Sequence, residues 1–287
     1  EMCIRDRNIL FVSLFAGAVL SSCDYTDLSP IDSITDKTYW TTTNDLKLYA
    51  NGLYGLLASP TATGDNTSDN FVPKDYSGYL FNEYTVPASA SSSNGWYWND
   101  IRSCNYFLQR YQTVEGSEAE INKYVAEIRF MRGLLYYSKI KQFGDVPWYD
   151  KDLQTSDTEE LYKARDSRDF VLGKVIEDFE FAIQWLPEKS DSEKGRLNKD
   201  AARTQLARIC LYFGTYMKYH NETPTTEWTS QTLLQKAVSL TETMMNSGNY
   251  DIVKASDAGA ATVAYEGYPL YLSLIHISEP TRRRGIS

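Results

Sequence analysis

Residues 126–147 read AEIRFMRGLLYYSKIKQFGDVP. From Ile121 to Phe143 the chain carries apolar residues at helical spacing and no proline, and Gly144 then closes the pattern. This spacing predicts a helix over 121–143. The same periodicity recurs on both sides. Upstream, residues 36–59 read as a helical region in which Thr43 or Asn44 is the cap and Leu46, Tyr49, Leu53 and Leu56 form the stripe. A second pattern starts near Trp98 and runs through Ile101, Asn105 and Leu108. Downstream, Ser167 to Leu186 carries Val171, Val175, Phe179, Ala182 and Leu186 on one face before Pro187. Asn198 to Tyr219 carries Ala202, Leu206, Ile209 and Phe213, and Gln231 to Asn246 closes near Gly248. Almost nothing alternates with period two. The expected fold class is all-α, with long irregular loops.

The longest of those loops covers residues 58–95 and is rich in Ser, Thr, Asn, Gly and Pro. Loops of this length inside compact domains are often binding elements. The stretch Ala126–Tyr136 can also be laid on Ala202–Tyr212, each with an alanine, an arginine six residues on and a tyrosine four beyond. Each is followed by an amphipathic helix containing an alanine, Ala182 and Ala237. Paired helices with small residues at the crossing resemble tetratricopeptide units. Their separation here far exceeds that repeat, so insertions must separate the helices.

The composition excludes some functions. With 29 basic and 38 acidic residues the net charge is −9, and no Lys/Arg stripe offsets it. Nucleic acid is therefore disfavoured as a partner, since phosphate neutralisation dominates such binding. The aromatic share of 14 % is driven by 22 tyrosines, whose flat face and polar tip suit both packing and wet binding surfaces. Four cysteines show no CxxC spacing. Cys104 and Cys210 read as buried thiols, with a disulfide between them as the alternative.

Ile9–Leu20 (ILFVSLFAGAVL) is too short to span a bilayer, which takes about 20 residues, and suits the core of an export signal. Leu20-Ser21-Ser22-Cys23 follows at once and resembles the lipobox of bacterial lipoproteins. That likeness implies lipidation of Cys23, residues 1–22 as a lipoprotein signal peptide, and stable anchoring through several acyl chains. An ordinary secretory signal with an incidental cysteine is the alternative. Residues 23–35 read as a polar, Pro-broken tether. Glu1–Arg7 and residues 272–287 look foreign to the rest, like translated adaptor read-through, which leaves 36–271 as a helical domain truncated at its C-terminal side.

Several blocks in order resemble the SusD/RagB family of Bacteroidetes outer-membrane lipoproteins. They are Asp27-Leu28-Ser29-Pro30, Tyr39-Trp40 ahead of Tyr49–Tyr54, Ile101 with Asn105, the block 126–147, Arg165-Asp166-Ser167, and Gly195–Ala202. The Gly52-Leu53-Tyr54 spacing departs slightly from the family's pattern. The resemblance implies a scaffold of tetratricopeptide-like pairs, lipid-anchored in the outer membrane and surface-exposed. It further implies that the protein binds oligosaccharides or other nutrients and delivers them to a SusC-type TonB-dependent porin. A tetratricopeptide adaptor lipoprotein that binds protein rather than glycan is the alternative.

Glycan binding uses aromatic rings against sugar faces, flanked by amides and carboxylates. Asn94–Asp100 (NGWYWND) offers that chemistry where a loop enters a helix. Trp96 and Asn99 are candidate ligand contacts; Trp98, at helical spacing with Ile101, reads first as core and second as ligand contact. Asp65, Asn66, Asp69 and Asn70 in the preceding loop are candidate polar partners, and such residues also satisfy turns. The chain does not read as an enzyme and implies no cofactor or metal. It has only His220 and His276, and neither HExxH nor a Gly-rich phosphate loop. His220 sits at a helix end, where a cation suits the dipole.

Overall fold

The structure, a computed structural model, describes residues 39–57, 78, 81–86 and 95–250. Cys23, the leader, the tether, the loop residues Asp65, Asn66, Asp69 and Asn70, and residues 251–287 lie outside the described residues. Seven α-helices occur among those described: α1 Thr43–Leu53, α2 Asn99–Leu108, α3 Glu118–Phe143, α4 Thr158–Leu161, α5 Arg168–Trp185, α6 Lys199–His220 and α7 Ser230–Asn246. Single 3-10 turns cover Tyr54–Leu56 and Tyr111–Thr113. No strand occurs among these residues, only an isolated bridge between Thr42 and Glu115. The all-α reading holds. None of the described helices is long and apolar enough to cross a membrane. The chain divides after Arg165 into two compact units, each treated separately below.

Helix ends follow side-chain chemistry. α1 starts after Thr42, one residue before the expected cap, because the Asp45 carboxylate accepts from the Thr42 N–H at 2.8 Å and its hydroxyl at 2.7 Å. It is shorter than its stripe predicts: the last turn tightens to 3-10 at Tyr54, and Leu56 is only partly buried. α3 starts three residues before Ile121 because Ser117 and Glu120 form a capping box, each side chain bonded to the other's backbone N–H at 3.3 Å. Ser167, Asn198 and Thr229 cap α5, α6 and α7 by accepting a backbone N–H three residues on. Gly144 closes α3, and Asn221 closes α6 in the left-handed region at φ 54°.

In the first unit α1 and α2 both pack on α3. Leu46, Ala50, Cys104, Phe107, Ala126 and Ile128 are fully buried, and Trp40 meets Phe107 edge-on at 5.6 Å. In the second unit α6 packs on both α5 and α7. The expected stripes of α5 and α6 are all inside. Gly214 allows the close crossing of α6 and α7: a Cβ there would stand 2.9 Å from Leu234 Cγ, and Ser230 Oγ donates to the Gly214 carbonyl at 2.7 Å. Cys104 and Cys210 are buried and not joined in a disulfide, and burial pushes the Cys210 thiol up to about 12. The internal similarity holds in part. Ala126 and Ala202 are both fully buried, but Arg132 is buried while Arg208 is exposed, so the two helices use their arginines differently.

Candidate functional site

The site begins with a strap, residues 146–155, that leaves the end of α3 and lies across α2 and α3. Regular hydrogen bonding does not hold it. Asn105 of α2 does, donating its Nδ2 to the carbonyls of Tyr149 at 2.8 Å and Lys151 at 3.2 Å. The Asn105 Oδ1 accepts from Arg132 Nη1 of α3 at 3.0 Å, and the Arg132 guanidinium lies 4.9 Å over the Trp148 ring. Tyr136 completes the clasp, its hydroxyl accepting from the Tyr149 N–H at 2.7 Å. Val146, Trp148 and Asp152 are buried behind the strap, while Tyr149, Lys151 and Leu153 face the other way. Asp152 in turn holds two cations, Arg102 at 2.8 Å and Arg110 at 3.4 Å. Asn105 therefore does more than sit on a helical stripe: a fully buried amide fixes the backbone of an irregular segment.

The opposite wall is the approach to α2. Gly95 has φ 79°, a conformation that favours glycine, and a Cβ there would displace the tip of the Gln142 side chain. Lys139 of α3 donates to the Gly95 carbonyl and stands 5.3 Å over the Trp98 ring. Burial pulls this ammonium below the ordinary lysine range, with Asp100 pulling the other way. Trp96 packs edge-on against Trp98 at 5.3 Å and Phe143 at 4.9 Å, and the Arg165 guanidinium lies 4.9 Å over its ring. Trp98 packs edge-on against Tyr149 at 5.6 Å, tying the two walls together.

Between the walls is a cavity of about 600 Å³. Trp96, Trp98 and Asn99, read from the sequence as candidate contacts, all line it, beside Tyr149 and Gln154. Trp98 is half-buried, so it packs against the scaffold and also borders the cavity. Asn99 is exposed and donates Nδ2 to the Tyr97 hydroxyl at 2.9 Å. Arg102, Lys151, Lys163 and Arg165 also line the cavity and were not singled out in advance as ligand contacts. The last three lie in YDKDLQTSDTEELYKAR, whose acids outnumber its bases, and only folding turns these cations to one side. His220 ends α6 in the second unit, its ring 4.2 Å from that of Tyr216.

The family described as starch-binding and associating with the outer membrane, SusD-like, matches residues 27–211, well over half of the chain. The chain belongs to the SusD-like family. Among its relatives, one SusD-like protein of Formosa agariphila is 27 % identical over 62 % of this chain and 37 % of its own length. Another from the same organism is 22 % identical over 76 % of this chain and 45 % of its own length. The chain thus spans less than half the length of these SusD-like relatives. Solved SusD-like structures share the fold. One from Bacteroides fragilis superposes with a TM-score of 0.58 at 22 % identity, covering 78 % of this chain and 42 % of that one. A structure described with xylogluco-oligosaccharide superposes with a TM-score of 0.53 at 19 % identity, covering 72 % of this chain and 41 % of the other.

Proposed function

We propose that the chain is the glycan-capturing part of an outer-membrane lipoprotein that hands oligosaccharides to a SusC-type TonB-dependent porin. Trp96, Trp98 and Asn99 contact the sugar, and no bond is made or broken in the ligand. Asp69 and Asn70, in the sequence that precedes the site, are proposed as further polar partners. One observation carries this reading: two indole rings set at right angles border a cavity of oligosaccharide size, with an amide beside them. The family's description as starch-binding supports it. The anchor at Cys23 rests on the apolar run before it and on the outer-membrane association of the family.

Titration of the full chain with maltotetraose and a xyloglucan oligosaccharide tests the site. Trp96→Ala is expected to weaken binding about tenfold, the scale of one buried aromatic contact, while lowering the melting temperature by only a few degrees. A variant that melts far lower yet binds as before makes Trp96 a packing residue and overturns the assignment. For the anchor, Cys23→Ala is expected to move the protein out of the membrane fraction and abolish palmitate labelling; labelling that persists refutes it.

A second reading has one observation in its favour. In the second unit, Leu211, Leu234, Val238, Met244 and Met245 line an apolar groove of about 830 Å³ between α6 and α7. Such a surface suits the protein-binding adaptor anticipated as the alternative. Peptide binding there, with no glycan held at the tryptophan corner, would favour it.

A further inference from the structure

Among the described residues, 15 line the cavity that borders Trp96, of which four are Lys or Arg and none is Asp or Glu. This runs against the chain as a whole, where acids exceed bases by 38 to 29. The four cations are not equivalent. Arg102 spends its Nε on Asp152, which lies beneath it, and Lys163 has Glu160 at 3.7 Å. Lys151 and Arg165 have no carboxylate within ion-pair distance among the described residues, and both are exposed. The Arg165 guanidinium lies over the Trp96 ring, so positive charge sits on the aromatic platform itself. The acids of the same segment, Asp150, Asp157 and Glu159, are absent from the lining.

We infer that the cavity takes an anionic oligosaccharide, one carrying carboxylate or sulfate groups on its sugars, with Lys151 and Arg165 as the residues that read the charge. The inference rests on the glycan-binding reading above and narrows it. A neutral sugar can stack on an indole and offer hydroxyls to these two cations, but it leaves their charge uncompensated. An anionic sugar meets both, and a guanidinium fork matches the paired oxygens of either group. The partly enclosed cavity lowers the local dielectric, so the attraction exceeds that of an open surface pair.

The test titrates the full chain with three probes of matched length: oligogalacturonate, a sulfated galactan oligosaccharide and neutral maltotetraose. Wild type is expected to bind at least one anionic probe about tenfold or more tighter than the neutral one. The affinity should fall steeply as salt is raised. The Lys151→Gln/Arg165→Gln pair is expected to lose about tenfold or more for that probe, to flatten its salt dependence, and to lose far less for maltotetraose. Which anionic probe gains decides between carboxylate and sulfate. Maltotetraose binding that matches or exceeds both anionic probes, or an unaltered salt slope in the double variant, overturns the charge assignment while sparing the glycan site. If none of the three probes binds, both readings fall.

Discussion

Asn105→Ala is expected to cost about 3 kcal/mol of stability and to loosen the strap over the cavity. The substitution removes two donors from backbone carbonyls in a fully buried setting and takes an acceptor away from the Arg132 guanidinium. Buried polar groups left without partners cost more than the bonds they formed, and a buried cation more still. Tyr136→Phe removes only the hydroxyl that meets the Tyr149 backbone, so about 1–2 kcal/mol is expected there. Urea denaturation measures both. Amide exchange at Tyr149 should accelerate in each variant well before global unfolding. Equal stability of Asn105→Ala and wild type would mean that the strap is held by something other than this clasp.

Phe213→Ala should destabilise the second unit by about 3–5 kcal/mol, whereas Leu211→Ala on the same helix should change stability by less than about 0.5 kcal/mol. Phe213 is 1 % exposed and meets the Tyr212 ring edge-on at 5.1 Å; Leu211 is 53 % exposed. Two residues apart on a helix, they point to opposite sides. The truncation at 213 leaves a cavity that the crossing at Gly214 is too tight to refill by collapse. Thermal melts of the two variants decide the matter, and comparable losses would contradict this orientation of α6.

Much of this was legible beforehand where short-range rules decide. The stripes of α5 and α6 were read residue by residue, and Ser167, Asn198 and Gly144 mark the boundaries the sequence suggested. The start of α3 does not follow from apolar periodicity, because its first turn is polar; Ser117 and Glu120 spell the capping box that sets it. The candidate tryptophan corner is legible in its chemistry, and the structure places its residues at one cavity. Its other half is not legible, because residues 146–165 have no helical repeat and their placement depends on Asn105, far away in sequence. The local excess of acid around Lys151 hid a cation that the fold turns into the cavity.

The clasp of Asn105, Arg132 and Tyr136 grips the strap by its main chain and leaves the outward side chains out of the bargain. Positions 151 and 155 border the cavity without taking any part in that grip through their side chains. Residues there can be exchanged with little penalty to folding, so the rim of the cavity can vary while the frame beneath it stays. A library randomised at those two sites would vary the cavity wall on an unchanged frame.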